Sequence, residues 1–262
     1  MSWFLDTAAA MAAIGLVTGF GVPALIGRIP EPETDEQEVD EADANVPDEI
    51  GHGLETLVPV DSVVEEPKEL YTSIAATPHL AVKAGVASAI VGGLVGARVG
   101  WEWDLLFLMY LVPVGVALAV VDWRTRLLPT KVIAPSYVVV IVLAVLAGLL
   151  QGDWSDLVRA GWGWAVSGGT FLLLWLLYPK GMGYGDVRLS GILGIALGYL
   201  GWGPLLVGVY AGFLLGGIGG VILSALRIVE RKAYPFGPFM LLGALVGVLW
   251  GERVGDLYVG RL

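Results

Sequence analysis

The chain has 262 residues, 56% hydrophobic and only 15% charged, with a mean hydropathy of +0.76, a composition that argues against a soluble domain. Its net charge of −10 comes from one segment: residues 31–69 hold 15 acids and a single base, while the rest holds ten acids and 14 bases with no nucleic-acid footprint. Cysteine is absent, which excludes disulfides, thiol nucleophiles and cysteine-ligated zinc.

Repeated apolar stretches, each of about 20 residues and long enough to cross a hydrocarbon core of roughly 30 Å, predict an all-α polytopic membrane protein with about eight transmembrane helices. The runs are continuous rather than alternating, which argues against a β-barrel. Residues 3–27, WFLDTAAAMAAIGLVTGFGVPALIG, read as the first span. A signal peptide competes for this stretch, but a basic leading region is missing and Asp6 stands where positive charge belongs, so a retained helix over 1–28 is expected. Residues 29–77 include IPEPETDEQEVDEADANVPDEI, acidic, proline-containing and free of aromatics. Such a stretch buries too little apolar surface to offset its ordering entropy and predicts a disordered cytoplasmic loop serving as a solvated spacer. Seven further spans are expected in a membrane domain over 78–262, at about 79–98, 104–121, 132–150, 157–178, 187–202, 204–226 and 236–251. Abundant glycine suits helices that approach closely in lipid, and GGLVG and GGIGG inside the spans read as packing surfaces.

With the N-terminus outside, the inner loops receive Arg28, Lys68, Arg124, Arg126, Lys131, Lys180, Arg188, Arg227, Arg231 and Lys232. The outer loops receive Arg98, Arg159, Arg253 and Arg261. This bias fixes the expected orientation in the inner (cytoplasmic) membrane, and tryptophans at 101, 103, 162, 164, 202 and 250 suit an interfacial belt.

That topology brings two carboxylates to one face. Asp122 ends the third span, in VVDWRTRLLPTKVIAPS, and Asp186 opens the sixth, in GMGYGDVRLSG. Two complete spans separate them, so both return to the cytoplasmic side. Ionisable groups at a membrane edge are costly and mark functional candidates. Each has a plainer alternative: Asp122 as a boundary charge paired with Arg124 or Arg126, and Asp186 as a cap on its helix N-terminus. Together they suit peptide hydrolysis. Two close carboxyls share a proton; the ionised one activates water, and the protonated one polarises the scissile carbonyl and later helps protonate the amine. Gly181, Gly183 and Gly185 clear side chains from around Asp186. Tyr184 reads as interfacial packing. His52 and His79 lie in or beside a polar stretch and form no nucleophile–base arrangement; neither a metal nor a cofactor is called for.

At these residues the chain resembles the type IV prepilin peptidase family, the GxGD-type integral-membrane aspartic peptidases. DWRTRLLPT, with Pro129 closing its Leu-Pro pair, is similar to the first-aspartate motif, and GMGYGDVRL to the second. YPFGPFMLLGA resembles the P-F-G-P motif that opens the last span, and GLVTGFGVPALIGRIPEPE is a weaker match to the first span of longer members. The resemblance implies cleavage of the short basic leader of a prepilin or prepilin-like protein at the cytoplasmic face, with Asp122 and Asp186 as the catalytic pair. Gly183 and Gly185 complete the second motif. Pro235, Phe236, Gly237 and Pro238 match the third and read as a structural helix entry.

The chain departs from the family in three places. Thr130 stands where many members carry an acidic or amide residue, and Arg188 stands where lysine is usual, which keeps the charge but changes its geometry. Bifunctional members carry a cysteine-containing domain after the first span and also N-methylate the product; here that place holds the acidic loop, so a peptidase without methyltransferase activity is expected. A transporter or channel with functional aspartates is the competing class, although no internal repeat is evident. A non-catalytic secretion-system subunit is the third. Which pilin or pseudopilin is processed, and the oligomeric state, stay open at this level.

Overall fold

In lipid an apolar run satisfies its backbone hydrogen bonds internally only as a helix. The computed structural model describes residues 3–31, 69–226 and 234–259, and α-helices dominate them. They are α1 (Leu5–Gly19), α2 (Val22–Ile26), α3 (Tyr71–Ala75), α4 (Leu80–Val99), α5 (Leu105–Thr125), α6 (Thr130–Gln151), α7 (Ser155–Leu177), α8 (Tyr184–Leu200), α9 (Trp202–Ala225) and α10 (Gly237–Val259). Six of these, α4 to α7, α9 and α10, are long and apolar enough to cross a membrane.

The other two expected spans return as shorter helices. The first is broken: α1 has 15 residues, and the chain turns at Phe20 and Gly21 before α2. Pro23 has no N–H to continue the ladder back to Gly19, and glycines on either side of Phe20 loosen the turn. The sixth, α8, has 17 residues and is buried on nearly every side from Asp186 to Tyr199. It is the central helix, enclosed by its neighbours. Close approach to α7 depends on glycine: a Cβ on Gly163 would lie 2.2 Å from the Gly194 carbonyl oxygen. The GGLVG stretch packs as expected, with Gly92 and Gly96 against Met11 and Thr7 of α1.

The long helices run back and forth, so their ends collect in two places. At one end the Trp101 indole donates to Asp6, Gln151 donates to Asp104, and Arg159 donates to the Gly198 carbonyl. At the other end lie the C-terminus of α5, the starts of α8 and α10, and the short helices α2 and α3.

One expectation is corrected there. Residues 71–75 fall in the stretch expected to be disordered but form α3. The Glu31 carboxylate receives the backbone N–H groups of Tyr71 (2.7 Å) and Thr72 (2.9 Å), satisfying donors that a helix start leaves open. Burial works against that charge, but the hydrogen bonds from Thr72 and Tyr71 outweigh it and hold the carboxyl below its usual range. Most of the expected acidic loop, residues 32–68, lies outside the described residues, as do Arg227, Arg231 and Lys232 of the charge count.

Candidate active site

Asp122 lies in the last turn of α5, one turn further into the helix than the apolar run suggested. Asp186 occupies the first turn of α8. They are only 4% and 7% exposed, which is rare for carboxyl groups, and both line one cavity of about 540 Å³. Gly181, Met182 and Gly183 from the segment before α8 line it as well, with Phe213 and Gly217 of α9 and Tyr234, Pro235 and Phe236 ahead of α10.

A backbone N–H from a helix start holds each carboxylate. Gly237, the first residue of α10, donates to Asp122 Oδ2 at 2.9 Å. Gly183 donates to Asp186 Oδ2 at 3.2 Å, and Asp186 N–H returns a bond to the Gly183 carbonyl at 3.1 Å. Asp186 therefore caps α8, as its plainer reading anticipated, while also facing the cavity. The positive ends of α8 and α10 are thus directed at the two acids.

The plainer reading of Asp122 fares differently. Arg124 turns away and pairs with Glu69 at 3.2 Å. Arg126 ends α5 in a left-handed conformation (φ 56°), its N–H bonding the Asp122 carbonyl at 2.8 Å, and its side chain lines the cavity. No ion pair between Asp122 and either arginine occurs among the described residues.

Leu128 draws the two aspartate segments together. It follows α5 in the Leu-Pro pair and presses against the start of α8: a Cβ on Gly185 would lie 2.7 Å from Leu128 Cβ. Gly185 is therefore a packing glycine that lets the start of α8, and Asp186 with it, come up to the segment after Asp122. One Leu128 methyl also approaches the Gly237 position. Pro129 starts α6, its carbonyl accepting the N–H groups of Val132 and Ile133. Pro238 sits in the first turn of α10, where a missing N–H is tolerated.

Tyr184 and Arg188 stand outside this cavity lining. The Tyr184 ring lies 5.1 Å from that of Trp175, and the Arg188 guanidinium stacks over Tyr184 at 4.6 Å. Arg188 also donates to the Thr130 hydroxyl, and its carbonyl accepts the Tyr137 hydroxyl at 2.7 Å. The two positions that depart from the family pattern are thus partners across the α6–α8 junction. No group of three or more metal-ligating side chains occurs among the described residues.

Residues 109–221 match the type IV leader peptidase family, a stretch that contains both aspartates and stops short of Gly237. The chain is 30% identical over 179 residues to the prepilin leader peptidase/N-methyltransferase of Pseudomonas aeruginosa, covering 66% of this chain and 59% of that protein. A protein of the same name from Escherichia coli K12 is 34% identical over 143 residues, 51% of this chain and 58% of the relative. That from Pseudomonas putida is 31% identical over 178 residues, 64% and 58% of the two chains. The chain thus spans about three-fifths of the length of the curated relatives it matches. No solved structure matches it. The segment that carries Asp122 and Asp186 is thus similar to the type IV leader peptidase family.

Proposed function

We propose that this protein is an aspartic endopeptidase of the inner membrane that removes the basic leader from a type IV prepilin or prepilin-like protein at the cytoplasmic face. The observation that carries the reading is the pairing of Asp122 with Asp186. Two acids from segments separated by two membrane helices are almost fully buried, line one cavity, and each accept a backbone N–H from a helix start. The similarity of residues 109–221 to the type IV leader peptidase family supports the same chemistry.

The chemistry follows from the two carboxyl groups. With one proton between them, the ionised acid takes a proton from a water molecule as its oxygen attacks the scissile carbonyl carbon. The protonated acid donates to the carbonyl oxygen. Collapse of the tetrahedral intermediate breaks the C–N bond, and the departing amine takes a proton from the pair. The N–H groups of Gly237 and Gly183 keep the carboxylates in place without reorganisation during these steps.

The names of the relatives join a peptidase to an N-methyltransferase. Only the peptidase is carried over here, since the chain has no cysteine and an acidic stretch follows its first helix. The test is co-expression with a candidate prepilin, followed by mass and N-terminal sequence of the product. Wild type yields a trimmed, unmethylated N-terminus, while Asp122→Asn and Asp186→Asn each lower cleavage by about 10³-fold or more with the protein still inserted. Full cleavage by either variant sinks the dyad, and a methylated product overturns the single-activity reading.

A further inference from the structure

The GGIGG run of α9 contains four glycines, and packing explains three of them. A Cβ on Gly216 would lie 2.3 Å from the ring of Phe236, one on Gly219 2.5 Å from that of Phe239, and one on Gly220 2.6 Å from that of Tyr234. Each receives an aromatic side chain from the segment that enters and begins α10. Gly217 receives nothing among the described residues: a Cβ built there meets none of their atoms within 4 Å. Glycine in a helix interior is disfavoured against alanine by about 1 kcal/mol, so no packing gain offsets its presence at 217. Yet Gly217 is one of the residues that line the cavity holding Asp122 and Asp186, one turn along α9 from Phe213, which lines it too.

We propose that Gly217 is a specificity-determining position of this peptidase: its bare backbone is the wall against which the substrate segment next to the scissile bond lies. The proposal rests on the peptidase reading above. The neighbouring surfaces define what fits there. Phe213, Phe236, Pro235 and Met182 make the walls around Gly217 apolar, while the two acids and Arg126 make up the charged part of the lining. An extended or helical peptide with an apolar stretch adjoining the cut therefore suits this wall, and the absence of a Cβ lets its main chain approach closely. Space at 217 is also cheap to fill as far as folding is concerned, which separates a substrate effect from a structural one.

The native chain has no cysteine, so Gly217→Cys supplies a single addressable thiol in the folded, detergent-solubilised full-length protein. It is labelled with methanethiosulfonates of increasing size, from methyl to benzyl, and assayed with a synthetic peptide carrying a basic leader and an apolar continuation. Cleavage relative to unlabelled Gly217→Cys is expected to fall with reagent size, by about tenfold or more for the benzyl group, chiefly through KM. In the same protein bearing Asp122→Asn, the peptide is expected to slow labelling of the introduced thiol. Gly169→Cys on α7 is the control: that position is equally open and lies outside the cavity, and its labelling should leave cleavage unchanged. Unchanged cleavage after benzyl labelling at 217, labelling unaffected by peptide, or a thiol at that position that resists even the methyl reagent each overturn the proposal. Failure of wild type to cleave, or full activity of Asp122→Asn, strikes instead at the peptidase reading.

Discussion

The backbone N–H of Gly237 reaches across 115 residues of sequence to hold Asp122 Oδ2 at 2.9 Å. This one bond joins the P-F-G-P stretch to the first aspartate and explains why its third residue is glycine. A Cβ at that position would lie 2.8 Å from the same carboxylate oxygen and 3.4 Å from a Leu128 methyl. Gly237→Ala is therefore expected to push the Asp122 carboxylate off its hydrogen bond. Small displacements of a reacting group are expensive, so cleavage should drop by about 10- to 100-fold, chiefly in kcat. Thermal unfolding of the purified protein should shift far less than activity, since the substitution adds a good helix former at the start of α10. Cleavage at the wild-type rate shows that the bond does not matter to catalysis.

Gly185 and Leu128 make a second contact with the same logic. The side chain of Gly185→Ala meets Leu128 Cβ at 2.7 Å, and backbone atoms of Leu128 close behind it leave little room to yield. The start of α8 must then move away from the segment after α5, taking Asp186 from Asp122. Loss of about tenfold or more in cleavage is expected. Leu128→Gly, which removes that Cβ, should relieve part of the clash. A double-mutant cycle measures this: contact between 185 and 128 gives non-additive losses, and additive losses place the cause elsewhere.

How far the sequence led can be judged from particular residues. The long apolar runs marked most helix ends within a few residues, because lipid leaves an apolar run no alternative to a helix, but α10 continues to Val259, eight residues beyond its expected end. Counting crossings between Asp122 and Asp186 was enough to bring them to one end of the bundle, as each span reverses direction once. The break at Phe20 and Gly21 was less visible: Pro23 and its flanking glycines marked it, but the apolar run carried straight through. Helix α3 was hidden because its first N–H groups are satisfied by Glu31, a partner 40 residues away that composition averages into an acidic run. The roles of Gly237 and Leu128 were obscured for the same reason. A pattern says that a helix begins at Pro-Phe-Gly-Pro, but only three-dimensional contact says which carboxylate its first N–H meets.

Arg188 and Thr130 lend themselves to a swap. Arg188 donates to Thr130 and stacks on Tyr184, two residues from Asp186 on the same helix turn. These contacts tie the start of α8 to the start of α6, which predicts a positioning role. Arg188→Ala loses the hydrogen bond and the stacking together. An expected fall of about three- to tenfold in kcat, with KM little changed, is consistent with the modest worth of such contacts. Arg188→Lys alone reaches Thr130 with a different geometry and should recover part of the rate. Combining it with Thr130→Asp supplies a charge partner and should recover more. A double variant no better than Arg188→Ala argues against a positioning role for this pair.

The acidic stretch supports a final prediction about the leader. Residues 31–69 carry 15 acids and one base, so, under the proposed function, a basic leader is expected to be attracted to them. The two ends of the stretch are already tied, because Glu31 binds the N–H groups of Tyr71 and Thr72. Removing residues 33–66 therefore closes a gap whose sides are near each other. The attraction is screened beyond a Debye length of about 8 Å at physiological ionic strength, so its contribution should be greatest in dilute buffer. At low salt the deletion is expected to raise KM for a basic-leader peptide by about three- to tenfold, with kcat held. At high salt full-length and shortened proteins should converge. A peptide whose leader lysines are replaced by glutamine should show neither effect. Equal KM values for the two proteins at both salt concentrations would exclude electrostatic capture and leave the segment as a spacer between the first helix and the rest of the bundle.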